Sequence, residues 1–219
     1  AGFPCQSFSI AGYRRGFKDK KRGGNLFFRI IEILKEKRPE AIFLENVKNL
    51  KGHDDGNTFR IIKGLLESFG YQLKVDILNS KTYGNLPQHR ERIFIVGFLD
   101  GKKAALFKFP KKIPLTKSFK DLTTHEAEEK YYYNNKRLFD RIKKDVNSED
   151  TTYQWRRRYI RANKKGVVPT LTANMGLGGH NVPIIKNGKG IRKLTPRECF
   201  LLQGFPKNFK LPNLSDSYL

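Results

Sequence analysis

The 219-residue chain carries 44 Lys and Arg against 21 Asp and Glu, a formal charge of +23 with a pI near 10.1, and so large a basic excess argues for a polyanionic partner, most simply nucleic acid. At 38% hydrophobic and 12% aromatic residues it can bury a real core, as one large domain or two small ones. Two cysteines without metal-ligand spacing, Cys5 and Cys199, argue against a disulfide framework or a metal centre and for a reducing setting, and no apolar run or signal pattern suggests a membrane.

In chain order, Gly2-Phe3-Pro4-Cys5-Gln6-Ser7-Phe8-Ser9 places a cysteine behind a proline that fixes the backbone and a glycine that lets the loop turn tightly. A free cysteine is ordinarily a small buried apolar residue; this one sits where a stiff loop would hold it out. From Ala11 to Gly24 four glycines and six basic residues, Arg14, Arg15 and Lys18 among them, suit a segment that closes over a phosphate backbone. Phe27, Ile30, Ile31 and Leu34 recur at helical spacing between Asn25 and Lys37, before Pro39. The apolar run Ala41-Ile42-Phe43-Leu44 predicts a strand buried on both faces that delivers Glu45-Asn46-Val47 at its carboxyl end, where open α/β sheets bind ligands. A helix is predicted over Thr58–Phe69, with Asn57 as cap and Gly70 past its end. An alternating strand follows at Leu73, Val75 and Ile77. The turn Tyr83–Pro87 then precedes Gln88-His89-Arg90-Glu91-Arg92, which runs into a strand at Ile93–Phe98. Helices alternating with strands predict an α/β fold with a mainly parallel sheet and helices on both faces.

Cys5, Glu45 with Asn46, and Arg90 with Arg92 converge on one edge of that sheet. A thiol, a carboxylic acid and guanidiniums suit nucleophilic attack on a heteroaromatic ring: sulfur adds to carbon, the acid hydrogen-bonds a ring nitrogen, and arginine holds an exocyclic oxygen. Cytosine fits that description.

From Lys111 to Gly190 the strand and helix alternation is lost, which predicts a different domain. Glu126–Ile142 reads as a charged helix, with Tyr131-Tyr132-Tyr133 in packing roles. Thr151 to Lys193 holds ten Lys or Arg and no acid, the best candidate for a DNA face. Arg156, Arg157, Arg158 and Arg161 are expected to contact phosphates. Thr170 to His180, with Thr172, Asn174 and several glycines, suits close approach to base edges. Leu194, Cys199, Leu201 and Leu202 are expected in a core, with Cys199 inert.

These motifs resemble, in order, those of the DNA (cytosine-5) methyltransferases of bacterial restriction-modification type. Gly2-Phe3-Pro4-Cys5-Gln6 looks like the nucleophile motif, Glu45-Asn46-Val47 like the family's ENV motif, and Gln88-His89-Arg90-Glu91-Arg92 like its QxRxR motif. Arg192-Lys193-Leu194-Thr195-Pro196-Arg197-Glu198-Cys199, continuing as Leu202-Gln203-Gly204-Phe205-Pro206, is similar to the motif that organises the recognition domain. The resemblance implies that Cys5 attacks C6 of cytosine in a flipped-out base, that Glu45 contacts N3 and the amino group while protonated, and that Arg92 contacts O2. Pro4, Gln6, Ser9, Asn46, Gln88 and Arg90 stand as supporting residues, and Thr170 and Leu171 match a pair in the recognition domain. It further implies a Rossmann-like methyltransferase domain, incomplete here, over 1–110 and 191–219, around a small, irregular, partly β target-recognition domain over 111–190. The methyl donor would be S-adenosylmethionine. The strand and glycine-rich turn that bind it in the family would precede Cys5, so most of its site is expected outside these residues, on a longer chain or a second polypeptide. The partners implied are double-stranded DNA and a cognate restriction endonuclease system, in a bacterial cytoplasm. Two alternatives are a tRNA methyltransferase of the same family and a non-catalytic DNA-binding piece.

Overall fold

The computed structural model describes residues 1–3, 26–156, 158–163, 165–172, 175 and 182–214. They form two compact units, one of Ala1–Leu78 and Glu91–Lys111, the other of Asn79–Arg90 and Lys112–Leu219.

In the first unit, helix α1 (Leu26–Lys37) follows the predicted spacing and buries Phe27 and Leu34. Strand β1 spans Ala41–Val47 and helix α2 spans Asn57–Ser68. Gly56, not Asn57, is the N-cap of α2; it sits at φ 82° and offers no side-chain bond. That left-handed geometry is one a glycine adopts without steric cost. The Asn57 side chain accepts instead from Arg60 one turn on, at 2.6 Å. Gly70, with φ 90°, ends the helix as expected. Strand β2 covers Gln72–Asn79, the last residue falling in the second unit.

Two corrections concern the sheet. Its order is β1-β4-β2, with β4 (Glu91–Phe98) in the middle and antiparallel to β1. The expected mainly parallel sheet is therefore not what these strands form. Strand β1 is also not buried on both faces: Ile42, Leu44 and Asn46 are buried, whereas Phe43 is 56% and Val47 36% exposed. The two-residue period of a strand separates these sets. The inner set packs with Phe27, Leu34, Ile62, Leu66, Ile93 and Ile95. On the other face Phe43 meets the ring of Phe94 at 5.5 Å.

Near the carboxyl end of β4, a Cβ on Gly97 would come within 2.8 Å of both Ile42 Cγ1 and Leu73 Cδ2. Close packing leaves no room for a methyl group there. Gly97→Ala is expected to destabilise the protein by about 1–3 kcal/mol, read as a lower urea midpoint without loss of slope.

In the second unit, α3 (Ser80–Tyr83) is capped by the Asn79 side chain, which accepts from Lys81 N at 3.2 Å. Strand β3 (Gln88–His89) pairs in parallel with β7 (Val168–Pro169). Helix α4 (Gly101–Leu106) belongs to the first unit and α5 (Phe139–Ile142) to the second. Strands β5 (Tyr153–Trp155), β6 (Ile160–Ala162), β8 (Pro183–Asn187) and β9 (Gly190–Lys193) form an antiparallel sheet in the order β6-β5-β8-β9.

The predicted helix over Glu126–Ile142 is mostly absent. Only a 3-10 turn at Glu129–Tyr131 and α5 are helical. The reason is tertiary: Tyr132 forms an antiparallel bridge with Arg192, and Tyr133 N donates to Ile191 O at 2.8 Å. Edge pairing to β9 supplies backbone partners that a helix would have supplied internally. Helix α6 (Pro196–Leu202) opens with a capping box between Thr195 and Glu198. Leu194, Leu202 and Cys199 pack with Phe119, Val168, Leu171 and Ile185.

Candidate active site

Because residues directly opposite each other on paired strands share a face, the register Val47↔Arg92 and Glu45↔Phe94 puts Glu45, Val47, Arg92 and Phe94 on the open side of the first sheet. Glu45 and Arg92 are diagonal neighbours, within reach of long side chains. Arg92 Nε meets Glu45 Oε1 at 2.9 Å, with side chains 16% and 35% exposed respectively. The burial expected around Glu45 is thus partial, and its carboxylate is met by a guanidinium.

Residues 1–3 run along the outer edge of β1. Gly2 bridges Glu45 in parallel, Glu45 N donates to Ala1 O at 3.0 Å, and the Asn46 side chain donates to Phe3 O at 2.7 Å. A Cβ on Gly2 would lie 3.6 Å from Glu45 Oε2, an ordinary contact distance. Asn46, 3% exposed, faces the core and pins Phe3 while its neighbour Glu45 faces outward. Pro4, Cys5, Gln6, Ser9, Arg14, Arg15, Lys18, Arg157 and Asn174 lie outside the described residues.

In the second unit, Gln88 is fully buried and its amide serves three residues in two segments. Its Nε2 donates to Leu202 O at 3.0 Å and to Gln203 Oε1 at 3.3 Å, and its Oε1 accepts from Leu171 N at 3.2 Å. Around it, Val168 N donates to Pro87 O at 2.8 Å and Thr170 Oγ1 to His89 O at 2.8 Å. Arg90 makes a longer contact to Leu171 O at 3.5 Å. Leu171 itself is 2% exposed, so its side chain belongs to the core and not to a surface.

The β5–β6 hairpin places Gln154 opposite Arg161. Arg156, Arg161, Thr170 and Thr172 line one cleft of about 400 Å³, together with Gln154 and His89. Sequence reasoning passed over those last two. His89 sits between two motif residues and Gln154 two residues before Arg156, and only strand pairing shows that they meet. Arg158 goes elsewhere, to a second cavity with Asp140, Asp145, Trp155 and Tyr159.

Arg192 and Glu198 form a fully buried ion pair at 2.7 Å. Burial opposes the charge of Glu198, yet bonds from Arg192 and from the N–H groups of Thr195 and Thr124 outweigh it and hold the carboxyl below its usual range. Burial, with Glu198 adjacent, pushes the partly buried Cys199 thiol up to about 12, which makes it unreactive near neutrality. Among the described residues no cluster of His, Cys, Asp or Glu could hold a metal ion. None of their helices is long and apolar enough to cross a membrane.

Comparison with known proteins agrees with this arrangement. The family model for C-5 cytosine-specific DNA methylase matches residues 1–217. The chain is 52% identical over 223 residues to the Type II methyltransferase M.Bsp6I of Bacillus sp. (strain RFL6), covering all of this chain and 70% of that protein. It is 36% identical over 233 residues to M.HhaI of Haemophilus parahaemolyticus, covering 100% of this chain and 68% of that one. With M.DsaV of Dactylococcopsis salina the identity is 41%, and the chain spans 60% of the relative's length. Among solved structures, S. pombe Dnmt2 methyltransferase superposes with a TM-score of 0.68 at 18% identity, over 99% of this chain and 70% of that chain. That likeness shows a shared methyltransferase fold. The match over residues 1–217 spans Glu45, Gln88 and Arg92 alike, and the chain belongs to the C-5 cytosine-specific DNA methylases.

Proposed function

We propose that this chain carries the cytosine-binding and DNA-reading parts of an enzyme that methylates C5 of cytosine in a short duplex site, with Cys5 as nucleophile. One observation carries the assignment of residues: Phe3 is held by Asn46 beside the Glu45–Arg92 pair. Cys5 follows two residues later, and two residues span at most about 7 Å. That short span supports the reading of Cys5 as a nucleophile acting beside a carboxyl and a guanidinium, the groups that a cytosine ring needs around it.

A cytosine stacked in a duplex presents no open face, so the base must rotate out into the site. Cys5 Sγ then bonds to C6, and the displaced electron pair makes C5 nucleophilic. Arg92 holds O2, and Glu45 hydrogen-bonds N3 and the exocyclic amine, so the negative charge that develops on the ring is met by fixed donors. In this structure the two side chains satisfy one another; an entering base would replace that contact with its own edge. After C5 has taken up the methyl group, loss of the C5 proton and departure of the thiolate restore the aromatic ring.

S-adenosylmethionine is the methyl donor that this chemistry calls for. The described residues do not fit it: β1 ends in Lys48-Asn49-Leu50-Lys51 and β4 in Leu99-Asp100-Gly101, neither being a glycine-rich turn of the kind that binds nucleotide cofactors in open α/β sheets. Arg156, Arg161, Thr170 and Thr172 form the proposed DNA-reading cleft, in which arginines contact phosphates and the short polar side chains approach bases. A cognate restriction endonuclease and a cytoplasmic setting complete the reading.

The test is methyl transfer from labelled S-adenosylmethionine to duplex DNA and, in parallel, to tRNA, by the protein supplied with a polypeptide that carries the donor-binding turn, with nucleosides resolved by mass spectrometry. The expected product is 5-methylcytosine in duplex DNA only. Label confined to tRNA would transfer the reading to an RNA substrate, and label in neither would reduce it to binding.

A further inference from the structure

A separate concentration of positive charge lies at the edge of the recognition sheet opposite the cleft. Arg161 is on β6 and Lys193 on β9, the two outer strands of the order β6-β5-β8-β9, three spacings or about 14 Å apart. Here the segment paired with β9 presents Tyr131, Tyr132 and Tyr133, of which the first two are 4% and 2% exposed. Lys130 and Lys193 place their ammonium groups over the ring of Tyr131 at 5.0 and 5.4 Å, Lys189 over Tyr132 at 5.7 Å, and Lys136 over Tyr133 at 5.4 Å.

Ring faces attract cations and offset part of the mutual repulsion, so the buried tyrosines act as a platform that fixes otherwise mobile chains. Lys136 is further held by donating to Lys130 O at 2.6 Å. Lys130 has a carboxylate partner in Glu128 at 3.2 Å. Among the described residues Lys136, Lys189 and Lys193 have no carboxylate within ion-pair distance. Crowding is visible in Lys136, whose ammonium is made easier to deprotonate first by burial and then by the charge of Lys193. Three cations are thus collected on a rigid base without a contact ion pair among the described residues, although the charge of Glu129 acts on Lys136 in the opposite sense to Lys193.

We propose that the Lys136–Lys189–Lys193 face is a second phosphate-backbone contact of this unit, taking duplex DNA beyond the stretch read in the cleft; this rests on the DNA-methylating reading. The chemistry favours a phosphate backbone over an acidic protein. Tyr131 and Tyr132 are buried, Tyr133 is half-buried, and no large apolar side chain is exposed there, so the face lacks the exposed aromatic and apolar anchors that dominate protein interfaces. Point charges without such anchors suit sequence-independent attraction to DNA. The contact would hold the enzyme on DNA between sites without choosing among sequences.

The test is fluorescence anisotropy of the protein with a random-sequence duplex of about 40 base pairs, long enough for both surfaces, over a salt series. Lys189→Ala with Lys193→Ala is expected to reduce the slope of log affinity against log salt by about 1.8, two phosphates' worth. Lys189→Arg with Lys193→Arg should restore it, and Lys189→Glu with Lys193→Glu should lower affinity further. Fluorescence of Trp155, the one tryptophan, verifies the fold. An unchanged slope overturns the proposal, as does a slope that falls but is not rescued by arginine. Loss of binding to polyglutamate with the DNA slope intact also overturns it, in favour of an acidic protein partner. A parent protein that transfers no methyl group even when supplied with the donor-binding polypeptide refutes the enzymatic reading, whereas the slope alone decides this one.

Discussion

Replacing Cys5 with Ser is expected to abolish covalent capture of duplex DNA in which cytosine is replaced throughout by 5-fluorocytosine. On such DNA the parent protein adds Sγ to C6 and methylates C5, but fluorine cannot leave as the proton does, so the thiol cannot be expelled and the complex survives denaturing electrophoresis. A serine hydroxyl is far less acidic than a thiol and far less nucleophilic at neutral pH. The expected loss in methyl transfer is on the order of 10⁴ to 10⁶-fold, the scale met when a nucleophile is removed from a working site. Binding to unmodified DNA should be retained, because the cleft and the basic faces do not depend on Cys5. Undiminished capture by the serine variant would remove Cys5 from the mechanism.

The second large effect is on stability. Glu198→Gln should cost about 3–5 kcal/mol, since it leaves Arg192 charged and buried without a counter-ion. The pair is not an efficient source of stability in itself: Arg192 Nε is buried without a hydrogen-bond partner, and desolvating two charges is expensive. Arg192→Met combined with Glu198→Leu should therefore recover much of the loss, short of about 1–3 kcal/mol for the Thr195 and Thr124 N–H groups that Glu198 no longer accepts from. Urea unfolding followed by Trp155, which lies on β5 of the same unit, reads both variants. The carboxyl of Glu198 is held below its usual range in the folded protein. Its stabilisation is thus fully present above the ordinary carboxylate value of about 4.3 and is lost as pH falls through the lowered folded value. The parent should lose stability along that acid limb, and Glu198→Gln should show a flatter one. A single and a double variant of equal stability would mean that the ion pair contributes nothing specific.

Local signals wrote much of the first unit. Helical spacing from Phe27 to Leu34, the Gly70 stop and the apolar run after Pro39 each produced the element they predict. The departures have tertiary causes. Phe43 reads as core because runs of apolar residues do, yet strand alternation turns it to the open face beside Glu45. Strand direction is not written in periodicity, and β4, antiparallel to β1, inserts between two strands that the sequence places before it. Tyr131–Tyr133 loses a helix because β9, some sixty residues later, offers an edge. At the site, residue types and motif order pointed to Glu45 and Arg92, and their diagonal contact follows once the register is known. Gln88 could be named a supporting residue from the sequence, but that one amide serves Leu171, Leu202 and Gln203 is a fact of folding across more than a hundred residues.

That junction bears on how such a protein changes its target. Gln88 grips Leu171 by its backbone N–H, Pro87 grips Val168 in the same way, and the parallel β3–β7 ladder is likewise made of main-chain atoms. Anchors of this kind are indifferent to most side chains that pass through them. Under the proposed reading, residues around Thr170 and Thr172 can be exchanged, and the preferred DNA word can drift, while the segment stays moored in the same place. Selection can then rewrite the reading head one letter at a time without first re-inventing the fold that carries it.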